Sequence, residues 1–415
     1  MYSIKKSILP VLLIAFVLLS ACGKNRGGPS GIGEAPGSDI VLFGANIVEG
    51  VEDISPVEGF IVSTIKTHRN IIAGLAITVF SENEILYGLQ YGYADVTAGL
   101  AIDSDTVFEW GSIAKLLVYV SVMQLYERGQ LDLHADIFSY VSQEFFPNIH
   151  YTTTMHHLIN HTAGFENDYW QRHGGLFSDF VPMGEPVPTL EDTLKDIFTR
   201  RFTNQRLQPG MMVRYSNEGI ALAGYIVSQI SGLSFYEYVH INIFEPLGMT
   251  RTALSPDLSD NCWVSLQRDK IKIYEVLREQ SVQRWQDTIF PSGSATGTIS
   301  DLIKFARALI PDEDGASILF DRPETLAMLF PSLEEIQNIP ICVLTGFRFF
   351  NGLIVFSLSG DSNRILGHTG GTKGFRSQLM IDVDRGIGLV IGENNTRGAM
   401  WIGDLPQGLA EMVFN

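Results

Sequence analysis

Ser112 and Lys115 stand three residues apart in Trp110-Gly111-Ser112-Ile113-Ala114-Lys115, at the head of a run that is apolar at nearly every position as far as Leu125. A helix over this run has no solvent face and must be buried on most sides. Burying an unpaired ammonium is costly, so Lys115 either finds a partner or gives up its proton more readily than a free lysine. Ser112 lies one turn away on the same face, within reach of the amine, which sets a hydroxyl nucleophile beside a group able to take its proton. At a helix start, the N–H of Ser112 is also available to stabilise an oxyanion. The pair has a purely structural reading too, with Ser112 as a helix cap and Lys115 as an ion-pair partner.

Two later stretches add polar chemistry. Leu207-Gln208-Pro209-Gly210 is a turn followed by Val213-Arg214-Tyr215-Ser216-Asn217-Glu218-Gly219 and an apolar helix, so Tyr215 and Asn217 fall on the loop just before that helix. A Tyr oxygen can share proton transfer with Lys115, and the Asn217 amide can orient the lysine or hold a substrate carbonyl. Ile365-Leu366-Gly367-His368-Thr369-Gly370-Gly371-Thr372 has the apolar start and glycine-rich end of a strand whose backbone a ligand can approach closely. Each stretch also reads as plain structure, an N-cap at Ser216 or Asn217 and a strand-end turn at His368-Thr369-Gly370.

The elements that must position these residues follow from periodicity. Ser55-Pro56-Val57-Glu58 is a helix start, and Val57, Ile61 and Ile65 recur four apart on one face. Gly74–Phe80 and Ile85–Tyr93 read as an antiparallel hairpin, as do Phe375–Val383 and Ile387–Gly392 near the other end, with a closing helix over Ile402–Phe414. Between them lies a long region with helical patterns such as Leu190–Phe202 and Gly219–Ile230. The expected fold class is α+β: an antiparallel sheet from 46–130 and 291–415, flanked by helices, with a mostly helical insert at 131–290. No fixed-period repeat occurs.

Taken in order, Ser112-x-x-Lys115, Tyr215-x-Asn217 and His368-x-Gly370 resemble the three active-site motifs of the serine β-lactamase and penicillin-binding protein superfamily. The Tyr-x-Asn motif is closest to its class C-related branch, which also holds esterases, D-aminopeptidases and D-alanyl carboxypeptidases. Leu158-Ile159-Asn160-His161-Thr162-Ala163-Gly164-Phe165 is similar to the family's L-x-x-H-T-S-G-L, and Pro246-Leu247-Gly248-Met249 to its P-L-G-M. The resemblance implies a sheet with an inserted helical domain, the site lying between them. It further implies that Ser112 is the acylated nucleophile, Lys115 a proton acceptor and Tyr215 the general base and acid. Asn217, His368, Gly370 and Gly371 would then be substrate-binding, with the N–H groups of Ser112 and Gly371 as the oxyanion hole. His368 departs from the family's Lys-Thr-Gly. With an ordinary pKa near ~6.5 it is only about a tenth protonated at pH 7.4, so ester or peptide substrates are favoured over β-lactams, and attraction of carboxylates should depend on pH.

The implied function is a serine hydrolase acting through a Ser112 acyl-enzyme on an ester, amide or D-amino acid peptide. The alternative is a non-catalytic penicillin-binding-like or assembly protein. No cofactor and no metal are expected: His157 and His161 have helical i, i+4 spacing without an accompanying H-E-x-x-H, and no G-x-S-x-G elbow is present.

Composition bounds the rest. The 415 residues are 45% apolar and 18% charged, as in a globular chain, and a net charge of −17 makes a poor nucleic-acid binder, so no nucleic-acid partner is expected. Lys5 and Lys6 precede an apolar run from Ile8 to Leu19, shorter than the ~20 residues of a spanning helix, and Leu19-Ser20-Ala21-Cys22 resembles a bacterial lipobox. The expectation is a signal peptide over 1–21, lipidation at Cys22, a flexible Gly-rich tether over 22–45 and attachment of an exported lipoprotein to the cell envelope. Cys262 and Cys342 could pair in an oxidising compartment or stay as thiols; oligomeric state is not legible.

Overall fold

Alternation along the strands decides which side chains face which layer. In Gly74–Ser81, Leu75, Ile77 and Val79 point to one face of the sheet, where they pack with Val57, Ile61 and Ile65 of the helix Ser55–His68 and Leu405, Leu409 and Val413 of the helix Leu405–Phe414. All three residues of the Ser55–His68 stripe are fully buried, each contributing about 1.5–3 kcal/mol of apolar transfer free energy. Phe80, on the opposite face, joins Leu379, Ile381 and Val390 in a second core that includes the helix Lys115–Glu127.

The computed structural model describes residues 41–43, 55–68, 71–165, 180–199, 205–275, 278–280, 285–342, 345, 347–356, 364–395 and 405–414. The expected leader, Cys22 and tether lie outside the described residues. Residues Gly37–Asn415 form one compact unit. Its main sheet has nine strands, and across it run Val41–Phe43, Ile85–Asp95, Gly74–Ser81, Ile387–Glu393, Arg376–Asp382, Ile365–Gly371, Leu353–Phe356 and Arg348–Phe350, all antiparallel to their neighbours. The two expected hairpins meet at the centre, where Ile387–Glu393 pairs with Gly74–Ser81. Chain ends far apart in sequence thus share one ladder.

The region between them differs in detail from a helical insert. It holds the helices Leu190–Thr199, Asn217–Ser231 and Cys262–Lys270, but also short strands. Thr252–Ala253 pairs with Thr296–Thr298, which pairs in turn with Val107–Glu109, directly ahead of the Ser112 turn. Two or three residues are too few to show alternation, which is why periodicity missed these strands. The helix expected to follow Asn217 begins at Asn217 itself, because Ser216 is its cap: the Ser216 hydroxyl accepts the N–H of Gly219 at 2.9 Å. No single helix among the described residues is long and apolar enough to cross a membrane.

Two glycines let the Ser112 turn press on the strand Ile365–Gly371. A Cβ on Gly370 would sit 1.9 Å from the carbonyl oxygen of Trp110, the same oxygen that accepts the Ser377 hydroxyl at 2.7 Å. Gly111 has φ +54°, and a Cβ there would lie 2.5 Å from the amide nitrogen of Gly371. Gly111→Ala is therefore expected to destabilise the protein by at least about 1 kcal/mol in urea titration, through backbone strain and the forced separation of turn from strand. A midpoint equal to that of the wild type would refute this account of the turn.

Candidate active site

The Ser112 turn is a 3-10 segment, Gly111–Ala114, running straight into the helix Lys115–Glu127. That helix is buried from Lys115 to Leu125, as its apolar residues at nearly every position require. Lys115 is fully buried, and its ammonium has two partners: Nζ donates to Ser112 Oγ at 3.0 Å and to the carbonyl oxygen of Ser292 at 2.6 Å. Burial pulls its pKa down to about 7, while the Asp287 and Glu218 carboxylates partly hold it up. Near neutral pH the amine is thus divided between its charged and neutral forms.

Tyr215 reaches the same centre from the other side. Its side chain hydrogen-bonds Ser112, and Lys115 Nζ lies 5.0 Å from its ring centroid. Burial pushes the phenol above its ordinary pKa, and the Ser112 hydrogen bond opposes that. The hydroxyl therefore keeps its proton unless another base relieves it. Asn217 stands at the first position of the following helix, and its buried Oδ1 has no hydrogen-bond partner among the described residues. Gly370 and Gly371 end the strand beside the Ser112 turn, with Gly371 exposed. Ser112, Lys115, Tyr215 and His368 thus neighbour one another, and Gly370 and Gly371 press on the Ser112 turn, while Asn217 follows Tyr215 by two residues at the start of the helix Asn217–Ser231.

His368 is present but not as the sequence implied. It is 1% exposed, Nδ1 donates to the carbonyl oxygen of Thr369 at 2.6 Å, and the ring lies 6.2 Å from Tyr215. Burial, then the positive charge of Lys115, press its pKa down to about 3. The imidazole is neutral throughout the working pH range, which corrects the expected pH-dependent attraction of carboxylates. A solvent-exposed reference value does not apply to a ring removed from water.

Two features escaped the sequence reading. The Ser292 carbonyl that accepts from Lys115 carries no side-chain signal. His161 stacks on Tyr215 with centroids 4.5 Å apart, although its only signals were the Leu158–Phe165 stretch and a weak metal spacing with His157. His157 instead completes a capping box with Thr154, and among the described residues no three His, Cys, Asp or Glu gather as a metal site. Cys262 and Cys342 are free thiols, the first exposed and the second buried. A cavity of about 920 Å³ runs along Met183–Glu191, Tyr225 and Tyr236 rather than at Ser112. A cavity of about 30 Å³ bounded by Glu109, Asp287, Gly293 and Thr372 shares Met183 and Pro256 with it and borders the site.

The neutral His368 has a consequence for stability. Its folded pKa of about 3 lies below the ordinary value, so between those pH values the unfolded chain binds the extra proton. The stability it permits is complete above the unfolded pKa of ~6.5 and is lost as pH falls toward 3. Denaturant titrations from pH 7 to 5 should give a slope that His368→Gln reduces by up to about 1.4 kcal/mol per pH unit. Identical slopes would mean that the ring is not held neutral.

Comparison with known proteins places this geometry. The sequence model of the Beta-lactamase family matches residues 61–400. Penicillin-binding protein 4* of Bacillus subtilis (strain 168) is 24% identical over 312 residues, covering 72% of this chain and 63% of the relative, under two thirds of that protein's length. Esterase EstB of Burkholderia gladioli is 31% identical over 188 residues, 44% of this chain and 46% of the esterase. The D-amino acid amidase of Ochrobactrum anthropi SV3, solved with D-phenylalanine, matches at a TM-score of 0.67 over 86% of this chain and 98% of the amidase, at 20% identity, a likeness of fold. With most of its length matched by the family's sequence model and its fold shared with such structures, the chain belongs to the Beta-lactamase family.

Proposed function

We propose that the chain is a serine hydrolase that forms an acyl-enzyme at Ser112 on an ester, amide or D-amino acid peptide. The observation that carries this reading is the 3.0 Å contact between Ser112 Oγ and a fully buried Lys115 whose pKa lies at about 7. Neutral Lys115 accepts the Ser112 proton as Oγ bonds to the substrate carbonyl carbon. The resulting oxyanion faces the N–H groups of Ser112 and Gly371. Tyr215 delivers a proton to the departing alcohol or amine as its bond to carbon breaks, and is reprotonated from Lys115. Water then attacks the acyl carbon, its proton passing to the same pair, and Ser112 Oγ leaves with a proton restored. Asn217 holds the acyl group's carbonyl or amide. The relatives named above, an esterase and a penicillin-binding protein among them, support acyl transfer as the shared chemistry. A neutral His368 favours substrates that need no carboxylate anchor at that position.

The test is a fluorophosphonate and a panel of chromogenic esters and D-amino acid amides, read by intact mass and turnover. Ser112→Ala should lose both labelling and hydrolysis, and Tyr215→Phe should lower turnover by about 10² to 10⁴. Because the base must be neutral, wild-type kcat/KM should rise with pH through a midpoint near Lys115's value of about 7. Lys115→Arg, which cannot deprotonate, should be inactive at every pH. A wild type that neither labels nor turns over any of the panel would favour the non-catalytic alternative, and wild-type turnover in Ser112→Ala would sink the assignment.

We further propose that the mature protein begins at a lipidated Cys22 and is held at the cell envelope by its acyl chains, a reading supported by Leu19-Ser20-Ala21-Cys22 and the Gly-rich segment that follows. Cys22→Ser should move the protein from the membrane fraction to the soluble one or leave the leader uncut. An unmodified Cys22 in wild-type protein, by mass, would overturn it.

A further inference from the structure

We infer that His161 is a positioning residue that holds Tyr215 against Ser112, an inference that rests on the serine-hydrolase reading above. His161 grips the chain on both sides of Tyr215. Its carbonyl oxygen accepts the N–H of Arg214 at 2.7 Å, and its ring Nδ1 accepts the N–H of Ser216 at 3.2 Å. Between those two bonds the Tyr215 ring lies on the imidazole, centroids 4.5 Å apart and planes 36° from parallel. Phe349 closes the cluster, 4.8 Å from His161 and 5.5 Å from Tyr215.

The type of residue matters at each contact. Ser216 caps the helix Asn217–Ser231, and its N–H is the donor that a Glu or Gln at the third helical position takes in a capping box. That position is Gly219, which has no side chain to offer, and the imidazole of His161 supplies the acceptor instead. Accepting at Nδ1 puts the ring proton on Nε2. Burial, followed by the neighbouring Lys115 and His368, holds the His161 pKa well below the ordinary value, so the ring adds no positive charge beside Lys115. The backbone of His161 sits at φ +57°, a left-handed conformation that is unfavourable for a non-glycine residue and persists only where the surroundings demand it. The demand here is the simultaneous reach of one residue's carbonyl and ring to the two neighbours of Tyr215.

A histidine that merely filled the core would affect activity whether or not Tyr215 could transfer a proton. A double-mutant cycle separates the two roles. The rates to compare are kcat and KM for p-nitrophenyl butyrate, with the rate of Ser112 labelling by a fluorophosphonate, in His161→Phe, His161→Asn, Tyr215→Phe and the two combinations. His161→Phe should lower kcat at least about tenfold with KM within about threefold. His161→Asn should recover part of that loss, since Asn tolerates the left-handed backbone and its Oδ1 can accept from Ser216. In the Tyr215→Phe background either change should leave kcat within about twofold.

Equal fold-losses in both backgrounds, or wild-type kcat in both folded single variants, would overturn the inference. Should His161→Phe fail to fold, the Asn variant carries the same cycle, and its loss must vanish when Tyr215 is Phe. Ser112→Ala, assayed alongside, keeps the outcomes apart. Turnover retained there would condemn the hydrolase reading, whereas turnover lost there with an additive His161 effect condemns only the positioning role.

Discussion

The structure is organised around one buried ammonium. Lys115 stands at the head of a helix with no solvent face, and an isolated charge there would be prohibitively costly. Three kinds of group offset that cost: the Ser112 hydroxyl and the Ser292 carbonyl accept its protons, and the carboxylates of Asp287 and Glu218 supply long-range attraction. Desolvation still dominates, leaving the amine near the midpoint of its titration at neutral pH. A lysine stabilised any further would remain an ammonium and could not accept a proton. One stabilised less would stay neutral and could not return it.

The partners of Lys115 come from parts of the chain that have no reason to meet except through the sheet. The short strands Val107–Glu109 and Thr296–Thr298 pair with one another, which carries the Ser292 carbonyl to the Ser112 turn. From the other side the strand Ile365–Gly371 presses against that turn, through Gly370 on the Trp110 carbonyl and Gly111 on the Gly371 amide. Glycine is needed at both places for lack of space, and at Gly111 for its positive φ as well. The oxyanion-binding N–H groups proposed above therefore depend on two missing side chains as much as on any present one.

Two histidines flank Tyr215 and neither behaves as a free imidazole. His161 and His368 are both buried, both kept neutral by desolvation and by the nearby Lys115, and both have an Nε2 with no hydrogen-bond partner among the described residues. With burial pushing the Tyr215 phenol pKa up and the Lys115 pKa down, additional positive charge in this cluster would disfavour the charged lysine still further. The site concentrates its titratable function in Lys115 and Tyr215, and it keeps the surrounding rings silent.

The chemistry was legible in the sequence where it depends on local spacing. A serine and a lysine three apart at the head of a largely apolar helix can only meet on one face, and strands such as Gly74–Ser81 carry alternation that a hairpin requires. The cap at Ser216 was legible for the same reason, although the helix read from Gly219 begins two residues earlier, at Asn217. What tertiary structure alone decided is everything set by burial and by contacts between distant segments. The ordinary pKa of histidine overstated how readily His368 takes up a proton as pH falls, because no local pattern tells how completely water is excluded from a ring. The grip of His161 on Tyr215 joins residues more than fifty positions apart, and the Ser292 carbonyl is a backbone atom common to every residue type. Spacing along a chain determines which groups can meet within a turn; only the packed fold determines the dielectric they meet in.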